Sequence, residues 1–108
     1  MGVLYRIKTA LRDGAGALDL SGIGLTELPP EIGQLTKLRG LFLNDNKLTS
    51  LPPEIGQLKS LLFLALSNNR LTSLPPEIVQ LTELEDLFLC GNPLSTRPPG
   101  RPGLSVYV

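Results

Sequence analysis

Cys90 is the only thiol in a chain of 108 residues that contains no histidine. A cysteine attacks as its thiolate, and nothing here activates it, so a tolerated small residue is the simpler reading. Glu54 and Glu77 are of the type used in acid–base catalysis, yet they recur at one place in two copies of the same phrase. With no complementary acid or base beside them in sequence, they read as a solvated column. Asn46, Asn69 and Asn92 return at that same interval. A carboxamide both donates and accepts, so three of them stacked in a column can satisfy backbone groups that a turn leaves unpaired. The expected chemistry is hydrogen bonding and surface recognition, with no catalytic set, metal or cofactor.

The interval that carries these residues is a repeat. Leu48-Thr49-Ser50-Leu51-Pro52-Pro53-Glu54-Ile55-Gly56-Gln57-Leu58 returns 23 residues later as Leu71-Thr72-Ser73-Leu74-Pro75-Pro76-Glu77-Ile78-Val79-Gln80-Leu81, and Leu25 to Leu35 is an earlier copy. A period of this size marks a solenoid whose units bury their apolar sides only against their neighbours. In Leu41-Phe42-Leu43 successive side chains alternate inward and outward, which predicts one short strand per unit, stacked in parallel on the next. The residue before a proline is pushed to extended geometry, so Leu51 and Leu74 end a stretched segment. The second proline suits the first turn of a helix, and Ile55 and Leu58 then share its inward face. Glu54 and Glu77 fall near the positive end of that turn.

Aligned on their leucines, the units read Leu38-x-x-Leu41-x-Leu43-x-x-Asn46-x-Leu48, then Leu61 to Leu71 and Leu84 to Leu94, with an imperfect copy from Leu18 to Leu25. The pattern resembles the leucine-rich repeat family, over roughly residues 15 to 96. The resemblance implies an α/β fold: a short right-handed solenoid with parallel strands on its concave face and short helical turns on its convex side. The phrase Leu-Pro-Pro-Glu-Ile-Gly-Gln-Leu is similar to repeats of bacterial leucine-rich repeat proteins and of Roco-type proteins, where such repeats precede a GTPase. The opening Arg6 to Ala15, running into Leu18 to Gly22, also looks like the start of that repeat block. GTPase activity is not implied, because the chain has no G-x-x-x-x-G-K-[S/T] phosphate loop. Bacterial effectors that join such repeats to a cysteine-dependent ubiquitin ligase are also similar, but this length holds no counterpart of their catalytic domain.

The chain reads as a single repeat domain over 1–108: a capping helix and turn in 1–14, about four repeats in 15–96 and a degenerate cap or tail in 97–108. Leu4, Ile7 and Leu11 form an apolar stripe that predicts a helix over 3–12, ended by Asp13-Gly14-Ala15-Gly16. Ile23 stands where later units have asparagine, and apolar packing against the cap would explain it. At the other end, the next copy of Leu74 to Ile78 falls on Arg97, Pro98, Pro99, Gly100 and Arg101, and Leu104 takes the register of Leu81. The β-prone tail Leu104 to Val108 either folds back over the last repeat or is a loose end. Val106-Tyr107-Val108 also has the form captured by domains that add strands. The incomplete ending suggests a shortened version of a longer protein.

Ten basic and ten acidic residues give a net charge of zero, so no overall field favours nucleic acid or an anionic membrane. Arg6 and Lys8 interrupt any signal-peptide core, no apolar run has transmembrane length, and Arg6 occupies the Ser/Thr place of a myristoylation signal. The chain has no Asn-x-Ser/Thr site, and its lone cysteine has no partner for an intramolecular disulfide. A soluble, reducing compartment, most simply the cytoplasm, is expected.

All three phenylalanines fall at outward places of the strands. Phe42 and Phe88 share a column with Ala65 between them, Phe63 lies beside them, and Asn44, Asp45 and Asp86 form a rim. Exposed aromatics around a small residue make a candidate patch for an unknown protein or peptide partner. The bland alternative is aromatics shielding a pleated surface. A specific interface takes about 800 Å² per partner, which four strands at about 4.8 Å spacing just supply. The expected function is a non-catalytic interaction module. The alternatives are a unit that self-associates through its C-terminal edge, and an N-terminal regulatory part of a larger Roco-like GTPase.

Overall fold

A computed structural model describes residues 2–98 and 100–108; the repeat counterpart Pro99 and the terminal Met1 lie outside them. Among the described residues the chain forms one helix, α1 (Val3–Asp13), and five short parallel strands in sequential order. These are β1 (Ala17–Asp19), β2 (Gly40–Phe42), β3 (Phe63–Ala65), β4 (Asp86–Phe88) and β5 (Ser105–Tyr107). Three 3-10 turns, Pro30–Gln34, Pro53–Gln57 and Pro76–Gln80, link β1 through β4 on the opposite side. The result is an open α/β solenoid, with the strands on its concave face and the turns on its convex side.

Each turn is built as the prolines dictate. Pro52 is extended (φ −70°, ψ 150°) and Pro53 begins the 3-10 turn, where a missing N–H costs no hydrogen bond. Ile55 and Leu58 then enter the core with no exposed surface. From β1 to β4 the register advances by one 23-residue unit per strand: Leu18 pairs with Leu41, Leu41 with Leu64 and Leu64 with Leu87. These inward leucines make one continuous apolar column inside the coil.

The asparagine column ties the units together. Asn69 Oδ1 accepts from the Leu48 N–H at 3.1 Å, while Nδ2 donates to the carbonyls of Leu43 (2.9 Å) and Leu66 (3.0 Å). Asn46 reaches Leu20 and Leu43 in the same way, and Asn92 reaches Leu66 and Leu89. Every member therefore bonds at least one carbonyl of its own unit and one of the unit before. Among the described residues no buried side-chain polar atom lacks a partner, as burial demands.

That geometry corrects the reading of Ile23. It is 46% exposed, so it does not pack apolar surface against a cap. Its backbone N–H donates to Asn46 Oδ1 instead.

The helix stripe also differs from the sequence reading. Leu11 is 45% exposed, whereas Ile7 and Ala10 are buried and Val3 packs against the core. The buried face follows Val3, Ile7 and Ala10, spaced four and three apart, with Leu11 displaced around the helix. Gly14, at φ 62°, ends α1 by donating its N–H to the carbonyls of Ala10 and Leu11.

The C-terminal end departs from the period. Val106 pairs with Leu87 across β4 and β5, an advance of 19 residues, so Leu104 does not take the place of Leu81. Its neighbour in the register is Glu85, whose carbonyl accepts from the Ser105 N–H at 2.8 Å. Among the described residues the segment after β4 forms no 3-10 turn, and a shorter path reaches the sheet. Arg101 holds that path in place by donating to the carbonyls of Leu81 (2.7 Å) and Leu84 (2.9 Å). An arginine at an apolar repeat position is thus a cap for carbonyls.

Candidate binding face

The outward residues of the strands form two columns across the sheet. One runs Ala17, Gly40, Phe63, Asp86, Ser105; the other runs Asp19, Phe42, Ala65, Phe88, Tyr107. Phe63 is 37% exposed, Phe42 and Phe88 are half-buried, and Ala65 is only 4% exposed. Ala65 is therefore a covered floor rather than an open centre. Phe42 leans along its own strand. Its ring lies over Gly40, where a Cβ would stand 3.0 Å from the ring edge.

Tyr107 belongs to this surface, and reading residues 97–108 as cap or tail had set it apart. Its ring stacks on Phe88 with centroids 4.7 Å apart and planes 8° from parallel. Its hydroxyl donates to Asp86 Oδ1 at 3.3 Å. The shortened last unit brings Tyr107 here, and repeat arithmetic at the full period hides that placement. The β-prone, aromatic character of the tail was the available signal.

The polar rim has work inside the fold. Asn44 Oδ1 accepts from the Ser67 N–H at 2.9 Å, and the Asn44 N–H donates to Ser21 Oγ at 3.1 Å. Asp45 Oδ1 accepts from Asn68 Nδ2 at 2.9 Å. Asp45 and Asn68 have φ of 59° and 58°, and Gly22 and Gly91 hold the same left-handed place in their units. Only glycine, asparagine and aspartate adopt this conformation at low cost, which explains the residue types without any partner. Asp86 stays half-buried beside Phe63, and Cys90 is exposed at the end of the face.

The Asp19 carboxylate is held in its charged form by its neighbours. The Ser21 backbone N–H, first, and the Ser21 side chain hold it below the usual aspartate range, with a smaller contribution from the charge of Arg6. Arg6 itself donates to the Asp19 carbonyl oxygen at 2.5 Å. Among the described residues no group of His, Cys, Asp or Glu is placed to hold a metal ion, and no helix is long and apolar enough to cross a membrane.

Comparison with known proteins agrees with this geometry. The family described as a leucine-rich repeat region matches residues 30–100. The solved structure of a leucine-rich repeat protein of Leptospira interrogans is similar at 49% identity over 82% of this chain, with a TM-score of 0.78. The match spans 23% of that protein's length. No curated protein matches the chain.

Proposed function

Since the chain belongs to the leucine-rich repeat family, we propose that it is a non-catalytic interaction module whose concave strand face takes a protein or peptide. Domains of this family generally bind proteins. The observation that carries the reading is the aromatic group Phe42, Phe63, Phe88 and Tyr107, held on neighbouring strands with Phe63 and Tyr107 exposed. Rigid aromatics at the centre of a surface are the residues that dominate association energies. The strands fix their spacing before any partner arrives, so little ordering entropy opposes docking. A reducing compartment such as the cytoplasm suits the lone exposed Cys90.

Selection of a displayed random-peptide library on the immobilised chain tests this function. Binders are expected to lose at least about tenfold in affinity on Phe63→Ala and Phe88→Ala chains, in line with hot-spot truncations. Binders indifferent to both substitutions sink the reading.

A second reading has its own observation. The outer edge of β5 is unpaired, and Val79 (57%), Tyr107 (44%) and Val108 (62%) are exposed at the same end. An open strand edge beside apolar side chains favours self-association. Light scattering after size exclusion tests it: mass that grows with concentration supports this edge as an interface, and a constant monomer mass removes it.

A further inference from the structure

Charge is divided unevenly over this neutral chain. At the outward places of β1 to β5, and at the second and third positions after each of β1 to β4, the charged residues are Asp19, Asp45 and Asp86. All ten lysines and arginines lie elsewhere in the sequence. Arg6 touches the Asp19 carbonyl at one end of the face. The one ion pair among the described residues joins Arg12 and Asp13, so Asp45 and Asp86 have no cation within salt-bridge distance.

Asp86 sits at the centre of the aromatic group. It is the register partner of Phe63 and lies two residues from Phe88, and the Tyr107 hydroxyl fixes one of its oxygens at 3.3 Å. A cation paired with the other oxygen rests within reach of these rings. A guanidinium or ammonium group within about 6 Å of an aromatic face gains from the ring quadrupole as well as from the carboxylate.

We propose that the occupant of this face is an extended polypeptide segment in which arginine or lysine flanks an apolar side chain. The proposal rests on the concave strand face being the binding surface. The basic group pairs with Asp86 against Phe63, and the apolar side chain covers the Phe88–Tyr107 stack. A second basic residue meets Asp19, three strands away, or about 14 Å at about 4.8 Å per strand. An extended segment covers that span in about four residues.

The test is a titration of the isotope-labelled chain, followed by its amide resonances, with a short peptide bearing two arginines about four residues apart around a leucine. Its counterpart has glutamate in place of both arginines. The arginine peptide is expected to shift amides of β1 to β5 and to bind at least about tenfold tighter than the glutamate peptide. In Asp86→Asn the preference should fall to within about threefold, and at about 0.5 M salt it should largely vanish. The unliganded spectrum of Asp86→Asn reports whether the fold is intact. Equal binding of the two peptides at these strands overturns the cationic preference and leaves the face standing as a binding surface. Shifts confined to other elements, or none with either peptide, overturn the proposal, and the library selection then decides separately whether the face binds at all.

Discussion

Gly56 lies so close to Glu77 that a methyl group on its Cα would stand 2.9 Å from the Glu77 carbonyl oxygen. Gly33 meets Glu54 the same way, at 3.0 Å. Each glycine makes room for the 3-10 turn of the following unit. Val79 occupies the third such place, 57% exposed, and among the described residues no fourth 3-10 turn packs on it.

Gly56→Ala should therefore cost roughly 1–3 kcal/mol, the usual penalty for an extra methyl in a closely packed site. Val79→Ala should stay within about 0.5 kcal/mol, as surface changes do. Urea melts of the two variants check the contrast. Equal midpoints would show that the turns separate easily enough to accept a side chain at position 56.

Removing an asparagine should hurt in proportion to its burial. Asn69→Ala strands the Leu48 N–H and takes a donor from the Leu43 and Leu66 carbonyls. Each buried polar group left unpaired costs about 1–3 kcal/mol. Asn92 is half-buried, and water can replace part of its bonding. The expected order in denaturant midpoint is wild type, then Asn92→Ala, then Asn69→Ala.

Arg101→Met keeps an unbranched stem of similar bulk and removes both carbonyl bonds, to Leu81 and Leu84. Hydrogen exchange should quicken at Ser105 and at the Leu89 N–H, which donates to Tyr107. Amides of β2 and β3 should keep their protection. Uniform loss across the sheet would mean that Arg101 supports the whole solenoid rather than its last unit.

Asp19 gives a pH dependence of defined sign. Its folded pKa is depressed, by the Ser21 N–H above all, so its contribution is fully present above the unfolded carboxylate pKa. The contribution fades as pH falls through the lowered folded value. Asp19 is exposed, so the effect is small. The gap between wild type and Asp19→Asn in urea midpoint should close on acidification through that window. Parallel pH profiles would remove the Ser21 bond as a source of stability.

Much of this was readable in the chain. Leucine spacing, paired prolines and the asparagine column act within one unit or between neighbours, so a repeat in sequence becomes a repeat in space. Ile23 and Arg101 were harder because each acts through hydrogen bonds that an apolar repeat pattern does not encode: the Ile23 N–H donates to Asn46, and the Arg101 guanidinium to the Leu81 and Leu84 carbonyls. The candidate patch was partly legible. Phe42, Phe63 and Phe88 follow from strand alternation, but Tyr107 depends on a unit of 19 residues that no internal copy announces. Asp45 was read as rim, whereas its φ of 59° accounts for its type.

The sequential strand order has a mechanical meaning. Each strand is bonded only to the strands before and after it, and β5 has no successor. A pull on β5 directed away from the sheet loads first the β4–β5 bonds and the contacts of Tyr107 and Arg101, while α1 and β1 at the far end feel nothing until the intervening units have gone. Unravelling from the β5 end proceeds as peeling, one unit at a time. A threading unfoldase or processive protease that grips this end meets a ladder, not a wall.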